Sequence, residues 1–210
     1  KNWWSLMNQH LHSTRRLRPF SLIVLLILAA GLFGLPATPA LAASSSQVRD
    51  INTTGAPSSP SNLTDVNGTL YFAANNGAAG VELWKSDGSA SGTALVKDIF
   101  PGSSSANPAN LINMKGTLFF TANDGVSGTE LWKSDGTSAG TVLVKDIFPG
   151  SFNNIPYQSQ PASLTNVNGT LFFTASDIPN GRELWKSDGT SAGTVLVKDL
   201  IPGLYDSTLT

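Results

Sequence analysis

The stretch Glu130-Leu131-Trp132-Lys133-Ser134-Asp135-Gly136-Thr137 decides the fold, because the chain contains it three times with almost no change. The other copies begin at Glu82 and Glu183. Each copy is followed by Gly-Thr-(Ala/Val)-Leu-Val-Lys-Asp-(Ile/Leu), after two further residues in every case. A repeat of this fidelity predicts that one structural unit occurs three times along the chain.

Each repeat predicts four short antiparallel strands and no helix. A two-residue turn, Asn-Gly or Lys-Gly, joins the first two β-prone segments at 67–68, 115–116 and 168–169. Asn-Gly is a strong hairpin signal because both turn positions need positive φ. A loop then leads to the Glu-Leu-Trp-Lys-Ser segment, and a glycine-containing turn leads to Leu-Val-Lys-Asp.

A four-stranded unit that repeats at roughly 50 residues is typical of a β-propeller blade. The apolar runs Leu118-Phe119-Phe120 and Leu171-Phe172-Phe173 do not alternate with polar residues, which indicates strands covered on both faces. We therefore predict an all-β chain with blade 1 at residues 62–110, blade 2 at 111–163 and blade 3 at 164–203. A β-solenoid of stacked hairpins is the alternative, although its coils are usually shorter.

The repeats resemble the bacterial extracellular proteins built from ELWxxDGT repeats, also called hyalin-like, whose units are thought to form propeller blades. The resemblance extends from Val48 to the C-terminus, and the copy at Glu82 departs from the motif only by Ser89 in place of Thr. It implies a secreted or cell-surface protein of the bacterial envelope. The family has no established activity that could be carried over.

Residues 1–42 have the three parts of a secretory signal peptide. Three arginines precede an apolar run from Ser21 to Leu35, and Ala40-Leu41-Ala42 offers a small-residue cleavage site. An uncleaved membrane anchor is the alternative, but this run spans only roughly 22 Å against a hydrocarbon core of ~30 Å. We expect contact with a membrane only through this leader, if it is not cleaved.

The composition excludes several classes of site. The chain has no cysteine, and both of its histidines, His10 and His12, lie in the leader. Disulfides, zinc sites of the usual kind and Ser-His-Asp triads are therefore excluded after residue 42. The leader carries basic residues and no acid, so the remainder is acidic and lacks the basic face that nucleic acids require. We predict no cofactor and no nucleic-acid partner.

Residues 43–61 form a Ser/Thr/Pro-rich linker, apart from Val48-Arg49-Asp50-Ile51, which matches the last strand of the repeats. We expect residues 48–51 to form a blade-like strand. Three blades cannot close a ring that needs about four to eight, and residues 204–210 resemble the start of a further blade. We expect a fragment of a longer propeller, an open arc of three blades whose free edges favour self-association.

Two sets of repeated residues are candidate site residues. Trp84, Trp132 and Trp185 are either a ligand-stacking platform or packing between sheets, and repeated blade aromatics favour packing. Asp87, Asp135 and Asp188 precede the turn glycine, where a carboxylate can accept backbone N–H groups. Calcium binding at these aspartates is the weaker alternative, because each turn offers one carboxylate where a calcium loop supplies several.

Glu82, Glu130 and Glu183 could provide paired acids for glycoside hydrolysis, which requires two carboxyl groups roughly 5–10 Å apart in a cleft. An active site is a single asymmetric group of residues, whereas these acids occur equally in every repeat. Equal repetition is typical of a scaffold. We therefore predict no catalytic residue.

Residues that are not repeated are the better candidates for specificity. Asn153, Asn154, Tyr157 and Gln158 lie in the longest connection between repeats, and such a mixture suits contact with a protein or glycan. A tolerated insertion is the other interpretation. We predict a non-catalytic, exported propeller that binds or displays a protein or glycan partner. The alternatives are a fragment of a propeller enzyme acting on polysaccharide and a purely structural array.

Overall fold

The computed structural model describes residues 46–200 and Pro202, and every regular element in that part of the chain is a β-strand. The predicted leader at 1–42 and the predicted start of a further blade at 204–210 lie outside the described residues. In the part of the chain that is described, no helix could span a membrane. The described residues form one compact unit.

Three four-stranded antiparallel sheets follow one another along the chain, each with its strands in sequence order. The predicted fold class, an all-β chain of four-stranded blades, is confirmed. Blade 1 contains β1 (Ser61–Val66), β2 (Thr69–Asn75), β3 (Val81–Ser86) and β4 (Ala94–Lys97). Blade 2 contains β5 (Ala109–Met114), β6 (Thr117–Asn123), β7 (Thr129–Ser134) and β8 (Val142–Lys145). A small hairpin, β9 (Ser151–Phe152) and β10 (Ile155–Pro156), precedes blade 3, which contains β11 (Ala162–Val167), β12 (Thr170–Asp177), β13 (Gly181–Ser187) and β14 (Val195–Lys198).

The first hairpin of each blade has the turn that its sequence predicts. In blade 1, Asn67 and Gly68 have φ values of 53° and 82°. The side chain of Asp65 accepts the Gly68 N–H at 3.0 Å and so fixes the turn. Blades 2 and 3 repeat both the positive φ values and the side-chain cap.

The blades pack face to face, and their first strands β1, β5 and β11 lie side by side in that order. We call the side of a blade that meets the next blade its forward face, and the opposite side its rear face. The forward face of blade 1 carries Val66, Tyr71, Leu83 and Val96, and the rear face of blade 2 carries Leu118, Phe120, Ala122 and Trp132. Blades 2 and 3 meet through the equivalent residues.

The forward face of blade 3 is open in the described structure. Leu131 on the forward face of blade 2 is 0% exposed, whereas its equivalent Leu184 is 39% exposed. Residues Leu118 to Phe120 are all buried, as the absence of alternation predicts. Phe172 is only half-buried, because no blade covers that side of β12 within the described residues.

The strand predicted at residues 48–51 is not formed. Within residues 46–60 the structure has no strand, because no third strand is in place there for this segment to pair with. Ile51 instead packs against Phe72 and Trp84 on the rear face of blade 1. The Arg49 guanidinium donates to the backbone oxygen of Thr93 on the same blade.

Candidate functional site

The repeated glutamate of blade 1 joins its own strand to the connection that leads into blade 2. Glu82 lies on β3 and is fully buried. Its carboxylate accepts the Ile99 N–H at 2.8 Å, just after β4, and the Ala106 N–H at 3.0 Å, just before β5. Both oxygens are therefore engaged by the backbone, which fixes the path of the chain between blades.

Glu130 has the same role in blade 2. Its carboxylate accepts the Ile147 N–H at 3.1 Å and the Ser159 N–H at 2.8 Å, and the Ser159 hydroxyl donates to it as well. In blade 3 the equivalent Glu183 is partly exposed, and among the described residues it accepts a long bond, 3.4 Å, from the Leu200 N–H. The contact is therefore tight where a further blade follows in the described structure.

Burial raises the pKa of both Glu82 and Glu130 from the ordinary 4.5 to about 7, and the hydrogen bonds from backbone N–H groups act in the opposite direction. A carboxyl group with such a pKa could serve as a general acid in a cleft. Both side chains are 0% exposed, however, so no substrate reaches them in this structure. Their geometry is that of internal cross-links.

The repeated tryptophans Trp84, Trp132 and Trp185 are all buried. Trp132 and Trp185 lie between blades, whereas Trp84 lies on the rear face of blade 1 beside Ile51. A lysine from the preceding blade covers the indole: the Lys97 ammonium lies 5.9 Å from the centroid of Trp132. The same ammonium donates to the backbone oxygen of Thr141 at 2.8 Å. The indole rings therefore offer no exposed surface on which a sugar could stack.

The repeated aspartates cap the turn that follows the third strand. One carboxylate oxygen of Asp135 accepts both the Thr137 N–H at 2.8 Å and the Thr137 hydroxyl at 2.7 Å. These two bonds, the hydroxyl first, lower the pKa of Asp135 below its ordinary value. A Cβ at Gly140 would overlap this carboxylate, so the turn requires glycine there.

Asp87 and Asp188 make the same contacts in their own blades, and the pKa of each is lowered for the same reason. Among the residues that the structure describes, no three His, Cys, Asp or Glu side chains are grouped closely enough to hold a metal ion. The calcium alternative therefore gains no support from the arrangement of these side chains.

The β9–β10 hairpin in the longest connection has no counterpart in the connection between blades 1 and 2. Asn153 and Asn154 form its turn, with φ values of 51° and 63°. On either side of the turn, Phe152 is 67% exposed and Ile155 is 66% exposed. Two apolar side chains and two amides therefore project together from the surface.

The predicted surface residues divide into a tip and a base. Asn153 and Asn154 are exposed at the tip, whereas Tyr157 and Gln158 are half-buried at the base. The Tyr157 ring stacks on Phe148 with the ring centroids 4.8 Å apart, so it anchors the hairpin. Sequence reasoning missed Phe152 and Ile155, although two β-prone residues that flank an Asn-Asn pair are a hairpin signal.

No protein-family model and no curated protein matches this chain. Several solved structures are similar to part of it. A structure from a study of two prolyl endopeptidases has 11% identity and a TM-score of 0.42, over 68% of this chain and 20% of the other. An α-L-arabinofuranosidase from Clostridium thermocellum has 17% identity and a TM-score of 0.34, over 70% and 52% of the two chains. A protein described as an exo-β-1,3-galactanase from Bifidobacterium bifidum has 14% identity and a TM-score of 0.35, over 67% and 51%.

The chain thus spans between a fifth and about half of the length of those proteins. TM-scores below 0.5 are too low to carry an argument about fold or activity. The blade architecture of this chain therefore rests on the strand order, the face-to-face packing and the side-by-side first strands described above.

Proposed function

We propose that this protein is an exported, non-catalytic β-propeller module that binds a protein or glycan at the bacterial cell envelope. The exposed tip of the β9–β10 hairpin is the observation that carries this proposal. Phe152 and Ile155 supply apolar contact area, and the neighbouring side chains of Asn153 and Asn154 supply hydrogen-bond donors and acceptors. Aromatic anchors beside polar groups are typical of binding surfaces.

The repeated acids support the non-catalytic part of the proposal. Glycoside hydrolysis needs two accessible carboxyl groups on either side of the scissile bond. The carboxylates of Glu82 and Glu130 are buried and held by backbone N–H groups. Asp135 is engaged by its own turn. The three-part leader pattern of residues 1–42 supports export.

Cosedimentation with detergent-extracted bacterial sacculi tests the proposal, because extraction removes lipid and so any contribution of the leader to binding. We expect the wild-type chain to sediment with the sacculi and the double variant Phe152→Ser/Ile155→Ser to stay in the supernatant. The matched control is Val126→Ser, since Val126 is 81% exposed in the loop between β6 and β7 and is not one of the four tip residues. Equal sedimentation of the hairpin variant and the control would contradict the proposal.

Protease treatment of the sacculi separates the two partner classes. If the partner is a protein, treatment abolishes the binding of the wild-type chain. If the partner is a glycan, treatment leaves binding unchanged and glycan-degrading enzymes abolish it.

A further inference from the structure

The open forward face of blade 3 has two covered counterparts in the same chain. Blades 1 and 2 show, residue by residue, what covers a forward face of this sequence, namely the rear face of another blade. The equivalent positions are buried in blades 1 and 2 and exposed or half-buried in blade 3. In blade 3 they are Val167, Phe172, Leu184, Val197 and Leu200.

The rear face of blade 1 carries the residues that such a forward face binds. Its apolar positions are those of the rear faces of blades 2 and 3, with the same residue type at each. In blade 1 they are Leu70, Phe72, Ala74, Trp84 and Leu95. In blade 2 they are Leu118, Phe120, Ala122, Trp132 and Leu143. In blade 3 they are Leu171, Phe173, Ala175, Trp185 and Leu196.

Two lysine contacts set the register of each blade on the next. From blade 2 to blade 3, the Lys133 ammonium donates to the Gly189 oxygen at 2.9 Å. The Lys145 ammonium donates to the Thr194 oxygen at 2.8 Å. The same pair of contacts joins blade 1 to blade 2. The equivalent lysines of blade 3, Lys186 and Lys198, are exposed.

We propose that the forward face of blade 3 binds the rear face of blade 1 in a second copy of this chain. Lys186 and Lys198 of one copy then donate to the backbone oxygens of Gly88 and Thr93 in the next. The two surfaces differ, so the contact is heterologous and copies add head to tail. This inference is independent of the hairpin and of the proposed function.

The segment of residues 46–51 regulates this contact, because it belongs to the chain that already covers the rear face of blade 1, where Phe72, Ala74 and Trp84 are buried and Ile51 packs against them. Arg49 aligns with Lys97 and Lys145 in the repeat and bonds to the Thr93 oxygen that Lys198 of another copy requires. The segment therefore takes the place of the fourth strand of a covering blade, and among the described residues no strand takes the place of the other three. Beside it a groove of about 190 Å³ stays open, lined by residues that include Leu63, Leu70 and Phe72.

Residues 46–51 make no strand pairing, so an incoming blade with a fourth strand of its own can displace them. Such a blade also covers more apolar surface than the segment does, because it fills the groove. The segment therefore weakens association without preventing it.

Complementation between two variants of the full chain tests the proposal. Leu63→Lys, at a residue that is 62% exposed, blocks the rear face of blade 1, and Leu184→Lys blocks the forward face of blade 3. Val197→Lys is a second forward-face variant, and Val126→Lys in an exposed loop is the matched control. Sedimentation velocity measures the mass of each chain and of the equimolar mixture, and the leader is the same in all of them.

We expect the wild type and Val126→Lys to form multimers whose mass rises with concentration, and each face variant alone to be a monomer. The equimolar mixture of Leu63→Lys with Leu184→Lys should have twice the monomer mass, because each partner keeps one intact face. A mixture that stays monomeric overturns the proposal. The proposal is also overturned if Leu63→Lys associates as strongly as the wild type, because the forward face of blade 3 would then pair with itself or with another surface.

Removal of residues 46–51 tests the regulatory part. We expect multimers to form at lower concentration when the segment is absent. Weaker association after its removal would show that the segment belongs to the interface. That result would overturn the inference that an incoming blade displaces residues 46–51.

Discussion

The carboxylate of Glu130 accepts the backbone N–H of Ser159 at 2.8 Å, and so ties the third strand of blade 2 to the connection that enters blade 3. The same carboxylate accepts the Ile147 N–H at the end of the fourth strand. One side chain therefore fixes both ends of the crossing between two blades. The glutamate of the repeat is therefore a connector between blades in the two copies, Glu82 and Glu130, that a further blade follows within the described residues.

Burial of Glu130 makes stability depend on pH. Its pKa is about 7 in the folded chain against the ordinary 4.5, so between these values the folded chain holds a proton that the unfolded chain has lost. The stabilisation is complete below pH 4.5 and is lost as the pH rises through 7, at about 1.4 kcal/mol per pKa unit. We therefore expect the urea concentration at the unfolding midpoint of the wild type to decrease as the pH is raised from 5 to 8.

Glu130→Gln should reduce this slope, because the amide does not titrate. Glu130→Gln should also be less stable than the wild type at pH 5, because both oxygens of the protonated acid can still accept a backbone N–H, whereas the NH₂ group of the amide cannot. Glu183→Gln is the control, since Glu183 is partly exposed and makes one long bond. A wild-type midpoint that is constant over this pH range would show that the backbone hydrogen bonds outweigh burial.

The close approach of Gly140 to Asp135 predicts a coupled pair of substitutions. Gly140→Ala places a methyl group on the carboxylate that Thr137 holds in place, so it should lower the melting temperature. Asp135→Ala should also lower it, because the turn loses its cap. The double variant should lose less than the sum of the two single losses. Strict additivity in thermal unfolding would contradict this contact.

The buried tryptophans give a packing prediction. Trp132→Ala should cost ~3–5 kcal/mol of unfolding free energy, because it leaves a large cavity between blades 1 and 2. Trp132→Phe should cost much less, because the indole Nε1 has no hydrogen-bond partner to lose among residues 46–200. Urea unfolding measures both values. A Phe variant as unstable as the Ala variant would indicate that the indole nitrogen has a partner, such as a buried water.

The sequence predicts those parts of the fold that depend on local geometry. The Asn67-Gly68 turn needs only two residues with positive φ, so the hairpins and the four-stranded blades follow from the repeat. The role of Glu82 does not follow, because its partner Ala106 lies in the next connection and meets it only in three dimensions. Residues 48–51 match a strand in sequence, yet a strand also needs a neighbouring strand, which composition does not reveal.

The candidate site was predictable in position and only partly in its residues. The extra length of the connection after blade 2 identifies it as the place where the repeats differ. The exposed side chains that flank its turn, Phe152 and Ile155, depend on the formation of a two-residue hairpin that faces solvent. Tyr157 is half-buried because Phe148 lies within stacking distance, a contact that no repeat position predicts.

A last prediction compares two equivalent lysines. The Lys145 ammonium donates to the Thr194 oxygen at 2.8 Å and lies 5.9 Å from the centroid of the Trp185 ring, whereas Lys198 is exposed on the open side of blade 3. Lys145→Met should therefore cost roughly 1–3 kcal/mol, because a buried carbonyl loses a charged donor. Lys198→Met should leave the unfolding free energy of the monomer unchanged and should raise the concentration at which multimers form. Equal loss of stability in the two variants, measured by urea unfolding at low protein concentration, would contradict the assignment of these lysines to the contact between blades.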